Sequence, residues 1–60
     1  MKIEINIENW KHADENMAAK VISKRLDLLA KNKAFNDDFN ISFDEYAKYG
    51  IDYSIKVKHK

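Results

Sequence analysis

The chain contains no cysteine, no proline, no threonine and no glutamine, and only one glycine, in 60 residues. Without cysteine there is no disulfide and no thiolate metal site, and nothing points to an oxidising compartment. A single glycine cannot build the glycine-rich loops that cradle phosphate, so nucleotide hydrolysis lacks its usual apparatus. Charge of one sign is also missing: 11 Lys and Arg face 10 Asp and Glu, a formal net charge of +1. A dedicated nucleic-acid-binding domain is normally far more basic. No apolar run approaches the roughly 20 residues of a membrane span. The amino terminus alternates instead of forming the continuous apolar stretch of a signal peptide. The expected setting is therefore the cytoplasm, with no membrane role. Abundant Lys, Asn and Ile suit an AT-rich genome, bacterial or phage. The opening Met and the lack of any linker-like or tag-like segment match a complete small reading frame.

What is present argues for a folded module. Hydrophobic residues make up 45% of the chain, whereas a disordered chain is poor in Ile, Leu and aromatics. The expectation is one small α+β domain over residues 1–60. A domain of this size buries only about 60% of the surface its unfolded chain exposes. Small scaffolds usually add a disulfide, a metal or a partner. With cysteine gone, association is the staple that remains.

Met1, Ile3, Ile5 and Ile7 alternate with Lys2, Glu4, Asn6 and Glu8, the period of a half-buried strand. Asn9 is placed to cap a helix starting at Trp10 or soon after, with Asp14 and Glu15 near the positive end of its dipole. The helical pattern covers Ala13 to Lys33. Lys31 and Lys33 suit its carboxyl end, and Asn32 or Asn36 suits the left-handed stop. Phe39, Ile41 and Phe43 then alternate as a short strand. Ser42-Phe43-Asp44-Glu45 fits a capping box, and Gly50 fits a helix stop, so a helical turn is expected over residues 44–49. Read as strand instead, the same segment would place Glu45 on the inner side. Ile51, Tyr53, Ile55 and Val57 alternate with Asp52, Ser54, Lys56 and Lys58 as a last strand. The expected fold is a β-α-β-β-type module: one long amphipathic helix on a small sheet, with a short helical turn before the last strand.

Charges on the first and last strands are complementary, which favours their being neighbours. A parallel register matches Lys2 with Asp52 and Glu8 with Lys58. A terminal hairpin instead makes the outer strands antiparallel. The two readings conflict at this level.

The helix has more apolar surface than one sheet face needs. At about 100° per residue, Met17, Leu28, Val21, Ala18, Leu29, Ile22, Leu26, Ala19 and Ala30 fan over more than half its circumference. Ser23, Asn16, Asp27, Lys20, Lys31 and Lys24 hold the rest. A stripe little wider than about 100° suffices to cover a sheet, so the excess predicts a second body: another copy or a different protein.

Candidates for chemistry are few. His12 and His59 match no zinc spacing, and solvent exposure explains them. Neither has a serine or cysteine partner in a nucleophile pattern. Asn36, Asp38 and Asn40 alternate oxygen ligands, but a calcium loop from Asn36 needs Gly where Ile41 stands and Glu where Ala47 stands. The carboxylate pairs at residues 14–15, 37–38 and 44–45 sit in turns or first helical turns, where solvated roles suffice. No cofactor or metal is expected, and the chain reads as no enzyme.

Arg25 lies inside the apolar arc and admits three readings: a stem along apolar surface with its head in water, a carboxylate partner within the fold, or an interface anchor. Trp10 is read as core or as a lid over the helix start, with an exposed anchor as the other choice. The leading functional expectation is a non-enzymatic protein-interaction module. It acts as regulator, adaptor or inhibitor by occluding another macromolecule, and forms a homodimer through its helix. Its partner-binding residues are expected to be Trp10, Arg25, Leu26 and Leu29, with Tyr46 and Tyr49 as a second patch. The alternative is a small dimeric nucleic-acid binder. It would use Lys20, Lys24, Lys31, Lys56, Lys58 and Lys60 on phosphate and Tyr46, Tyr49 and Tyr53 on bases.

Overall fold

The last strand, with the cleanest alternation, becomes the middle of the sheet. In the computed structural model, which describes residues 1–11 and 15–60, β1 (Lys2–Trp10) leads to helix α1 (Glu15–Lys31) and a 3-10 turn (Ala34–Asn36). β2 (Phe39–Glu45), the one-turn helix α2 (Tyr46–Tyr49) and β3 (Ile51–Lys58) follow. The strand order is β1-β3-β2, with β3 antiparallel to both neighbours. β1 and β2 therefore run in the same direction on either side of β3. The fold is α+β, as the patterning predicts. His12, Ala13 and Asp14, which enter the metal reading, the helix start and the first-turn acid, lie outside the described residues.

The sheet has one apolar and one polar face because side chains alternate along each strand. Ile51, Tyr53, Ile55 and Val57 of β3 are at most 2% exposed. Opposite them in β1 stand Trp10, Ile7, Ile5 and Ile3, and in β2 Glu45, Phe43, Ile41 and Phe39. The register between β1 and β3 slips between Ile7 and Asn9. This bulge at Glu8 absorbs one residue and so returns Trp10 to the apolar face. Strict alternation would have put Asn9 there.

The bulge also corrects the expected helix start. Asn9 is not a helix cap and Trp10 does not begin a helix; both close β1. Asn9 Nδ2 donates to Asp52 Oδ2 at 3.0 Å, and Lys11 N–H donates to the Gly50 carbonyl at 2.8 Å. Those bonds hold the segment in the sheet. At the other end of α1 the left-handed residue is Lys33 (φ 59°), not Asn32 or Asn36. Both the N–H and the side-chain amide of Asn32 reach back to the Leu28 carbonyl.

β2 runs through Glu45, so the capping box at Ser42 does not form and the helical turn is only α2. The Tyr46 N–H donates instead to Asp52 Oδ1 at 3.2 Å and Asp44 Oδ1 at 3.4 Å. Gly50 ends α2 at φ 73°, with its N–H on the Tyr46 carbonyl. β1 and β3 are neighbours, as their charges suggest, but antiparallel. The Lys2–Asp52 and Glu8–Lys58 matches do not occur; Glu4 faces Lys56 and Lys2 faces Lys58. Lys2 Nζ turns to Glu4 Oε1 at 3.0 Å.

Helix α1 packs on the apolar face with Ala18 buried. Val21, Ile22, Leu26 and Leu29 pack partly buried against the β3 row, as do Phe35, Phe39, Phe43 and Tyr49. The β1 isoleucines, paired beside the β3 row, are more exposed than these residues. The sequence predicts β1 as a half-buried strand, and in the fold Ile3, Ile5 and Ile7 are 39–45% exposed, more open than the β3 row beside them.

Candidate interaction surfaces

Arg25 is held from three sides. α1 projects it over the β2–β3 corner, where its Nη2 donates to Glu45 Oε1 at 2.6 Å and its Nε to the Tyr53 hydroxyl oxygen at 3.4 Å. The Tyr53 hydroxyl donates to the same Glu45 oxygen at 3.2 Å. The guanidinium carbon stands 4.6 Å from the centre of the Phe43 ring, which stacks on Tyr53 at 5.3 Å. The Glu45 carboxylate and, second, the Tyr53 hydroxyl raise the Arg25 pKa further. Burial pushes the Tyr53 phenol up against the opposing hydrogen bond from Arg25. Of the three readings of Arg25, the geometry shows the carboxylate partner within the fold. Arg25, Glu45 and Tyr53 bond to one another, and the cluster ties helix to sheet.

Leu26 and Leu29 also face inward, packed on the β3 row. Leu26 and Leu29 are thus engaged in the fold, while Arg25, bound to Glu45 but a third exposed, also lines the groove beside α1. Trp10 and Tyr46 are well exposed, and Tyr49 is half-buried.

Open apolar surface lies elsewhere, in two places. The first is β1, where Ile3, Ile5, Ile7 and Trp10 are 39–45% exposed in one row, with Met1 at its end. The second is a groove of about 510 Å³ between α1 and the β2–α2 corner. Its apolar side chains are Met17, Val21, Leu28 and Tyr49; Lys20, Lys24 and Lys48 stand around them, with Asp44 and Glu45 on the sheet side. Met17 and Leu28 are the flank of the apolar arc that the sheet does not need. Lys48 Nζ lies 5.2 Å from the Tyr49 ring centre.

The lysines and tyrosines of the nucleic-acid reading divide between two surfaces: Lys20 and Lys24 stand with Tyr49 at the α1 groove, and Lys56, Lys58 and Lys60 lie apart from them. Lys20, Lys24 and Lys31 project from the helix layer. Lys56 and Lys58 belong to the polar face of the sheet, where they line a small hollow with Lys2, Glu4 and Lys60. Tyr53 is 0% exposed and is therefore corrected from a base-stacking to a core residue. His59 is tied to Asp38, whose Oδ1 accepts the His59 backbone N–H at 3.0 Å. Among the described residues no cluster of His, Asp and Glu is arranged to hold a metal ion, and no helix is long and apolar enough to cross a membrane.

Sequence reasoning missed Ile3, Ile5 and Ile7 as surface residues. Three strands spaced about 4.8 Å apart match the width of one helix only when it is centred on the middle strand; here α1 is tied to β2 through the Arg25–Glu45 pair, an off-centre placement with no local signal. Comparison with protein-family models, with curated proteins and with solved structures finds no match.

Proposed function

We propose that this chain is a small non-enzymatic interaction module that works by covering a surface of another macromolecule. The observation that carries this reading is the apolar surface left outside. Met1, Ile3, Ile5, Ile7, Trp10, Met17, Leu28, Ile41 and Tyr46 all remain substantially exposed. The accessible area is 4551 Å², against about 4,100 Å² for a typical folded monomer of this mass. The groove beside α1 supplies an apolar floor and a rim of lysines. That combination suits a protein segment with an apolar stripe flanked by acidic side chains, because buried anchors give affinity and rim charges give orientation. Regulator, adaptor and inhibitor are all roles that such occlusion serves.

Leu28→Asp tests the groove, since Leu28 is exposed and its replacement spares the core. The immobilised protein should retain a partner from lysate that Leu28→Asp releases and Lys31→Ala keeps. Equal capture by all three proteins, or by none, contradicts the reading.

Lys2, Lys56, Lys58 and Lys60 around one hollow of the sheet favour a second reading, phosphate-backbone binding. Nucleic-acid affinity would then fall on a log–log salt plot with a slope of about −0.9 per duplex phosphate contacted. No mobility shift with single- or double-stranded DNA or RNA at low salt removes that reading.

A further inference from the structure

We propose that two copies of this chain join edge to edge through β1, antiparallel, with Ile5 on the two-fold axis. β1 and β2 are the two edges of the sheet, so this contact lies on the flank away from the groove. It rests on the interaction reading only in drawing on the same excess of apolar surface.

Three observations single out β1 and a second copy as its occupant. First, the strand is an edge with little protection. Natural edges are blunted by proline, by charged side chains, by inward-pointing charge or by a bulge. β1 has no proline and no charge on its apolar face; its charges Lys2, Glu4 and Glu8 alternate with the isoleucines, and its bulge at Glu8 falls at the last residue of the stretch that pairs. Second, its apolar row is partly open, with Ile3, Ile5 and Ile7 each 39–45% exposed. The other edge exposes one apolar residue, Ile41, between Phe39 and Phe43, which pack on the core, and its Glu45 is bound to Arg25.

Third, β1 is complementary to itself in one register. With Ile5 opposite Ile5 of the second copy, Ile3 meets Ile7 and Lys2 meets Glu8, each twice by symmetry. All isoleucines then share one face and both opposite-charge pairs share the other. Shifting by one pair in either direction sets Glu4 against Glu4 or Glu4 against Glu8, and like charges directly opposite destabilise a sheet. An odd shift turns the isoleucines against charged residues. The present Lys2–Glu4 contact is a solvent-exposed pair, which holds Lys2 only weakly. The result is a continuous six-stranded sheet whose central four strands are β3-β1-β1-β3, with both helices on one face. Its isologous contact closes at two subunits.

The test is sedimentation equilibrium of the purified chain and of Lys2→Glu and Glu8→Lys, with circular dichroism showing that each variant is folded. Both positions are exposed. The native chain should form dimers. Each single reversal places like charges at both symmetric contacts and should raise the dissociation constant about tenfold or more. An equimolar mixture of the two variants should recover native-like dimerisation. In the mixed pair the carboxylate introduced at position 2 of one chain meets the ammonium introduced at position 8 of the other, and the native Glu8 and Lys2 meet at the second contact. A chain that stays monomeric, reversals without effect, a mixture no tighter than its components, or assembly that grows past two subunits overturns the proposal. None of these outcomes touches the Leu28→Asp capture experiment, so the two readings fail separately.

Discussion

Glu45 is the residue on which the helix–sheet junction turns. A carboxylate on the apolar side of a strand is costly unless it is paired, and here Arg25 and Tyr53 both donate to it. The side chain of Arg25 is a third exposed, so water takes over part of its pairing when Glu45 is removed. Glu45→Gln should therefore lower unfolding free energy by only about 1 kcal/mol, read as a shift in urea midpoint with an unchanged slope. Arg25→Ala acts on the same junction and should weaken folding, whereas Lys24→Ala should leave it unchanged. Asp52 makes a separate contribution at the polar face. The Asn9 amide, and after it the other donors at the α2 corner, hold its pKa below the ordinary 3.8. A depressed folded value means that the carboxylate stabilises above pH 3.8 and that this support is lost as pH falls through the lowered value. The melting temperature should drop over that acid window, and Asp52→Asn should flatten the drop.

At the scale of elements, the three strands are alike in pattern and unlike in burial. Position in the sheet decides this: β3 has a strand on each side and its apolar row fully covered, while β1 has one neighbour and an apolar row 39–45% exposed. Ile55→Ala should cost about 2–5 kcal/mol, and Ile3→Ala about 1 kcal/mol or less; equal losses in chemical denaturation would place the two side chains in the same environment. The existence of every strand and of both helices was legible in the sequence, because alternation and helical spacing are local. Two boundaries were not. The capping signals at Asn9 and Ser42 are chemically sound, but each residue is in a strand. The bulge at Glu8 and the Arg25–Glu45 bond are tertiary events that outweigh a cap worth about 1 kcal/mol. Neither event has a local signature. Strand direction was equally hidden, since cross-strand charge pairs contribute too little to set topology.

For the molecule as a whole, an apolar surplus was legible and its place was not. The wide arc of α1 pointed to the helix as the sticky element. Leu26 and Leu29 instead face the core, and Met17 and Leu28 carry the remainder into the groove. The larger open row is on β1, a strand whose alternation reads like that of any half-buried strand. Sixty residues provide one long helix, which packs with residues of β2 and β3 and leaves the β1 row the more exposed; the association proposed above draws on that remainder. The most direct test is methyl NMR of the isoleucines in dilute solution with a soluble paramagnetic probe. The account predicts strong broadening of Ile3, Ile5 and Ile7 while Ile51 and Ile55 are spared. Equal protection of all five would show that the chain covers its own apolar face, and would contradict it.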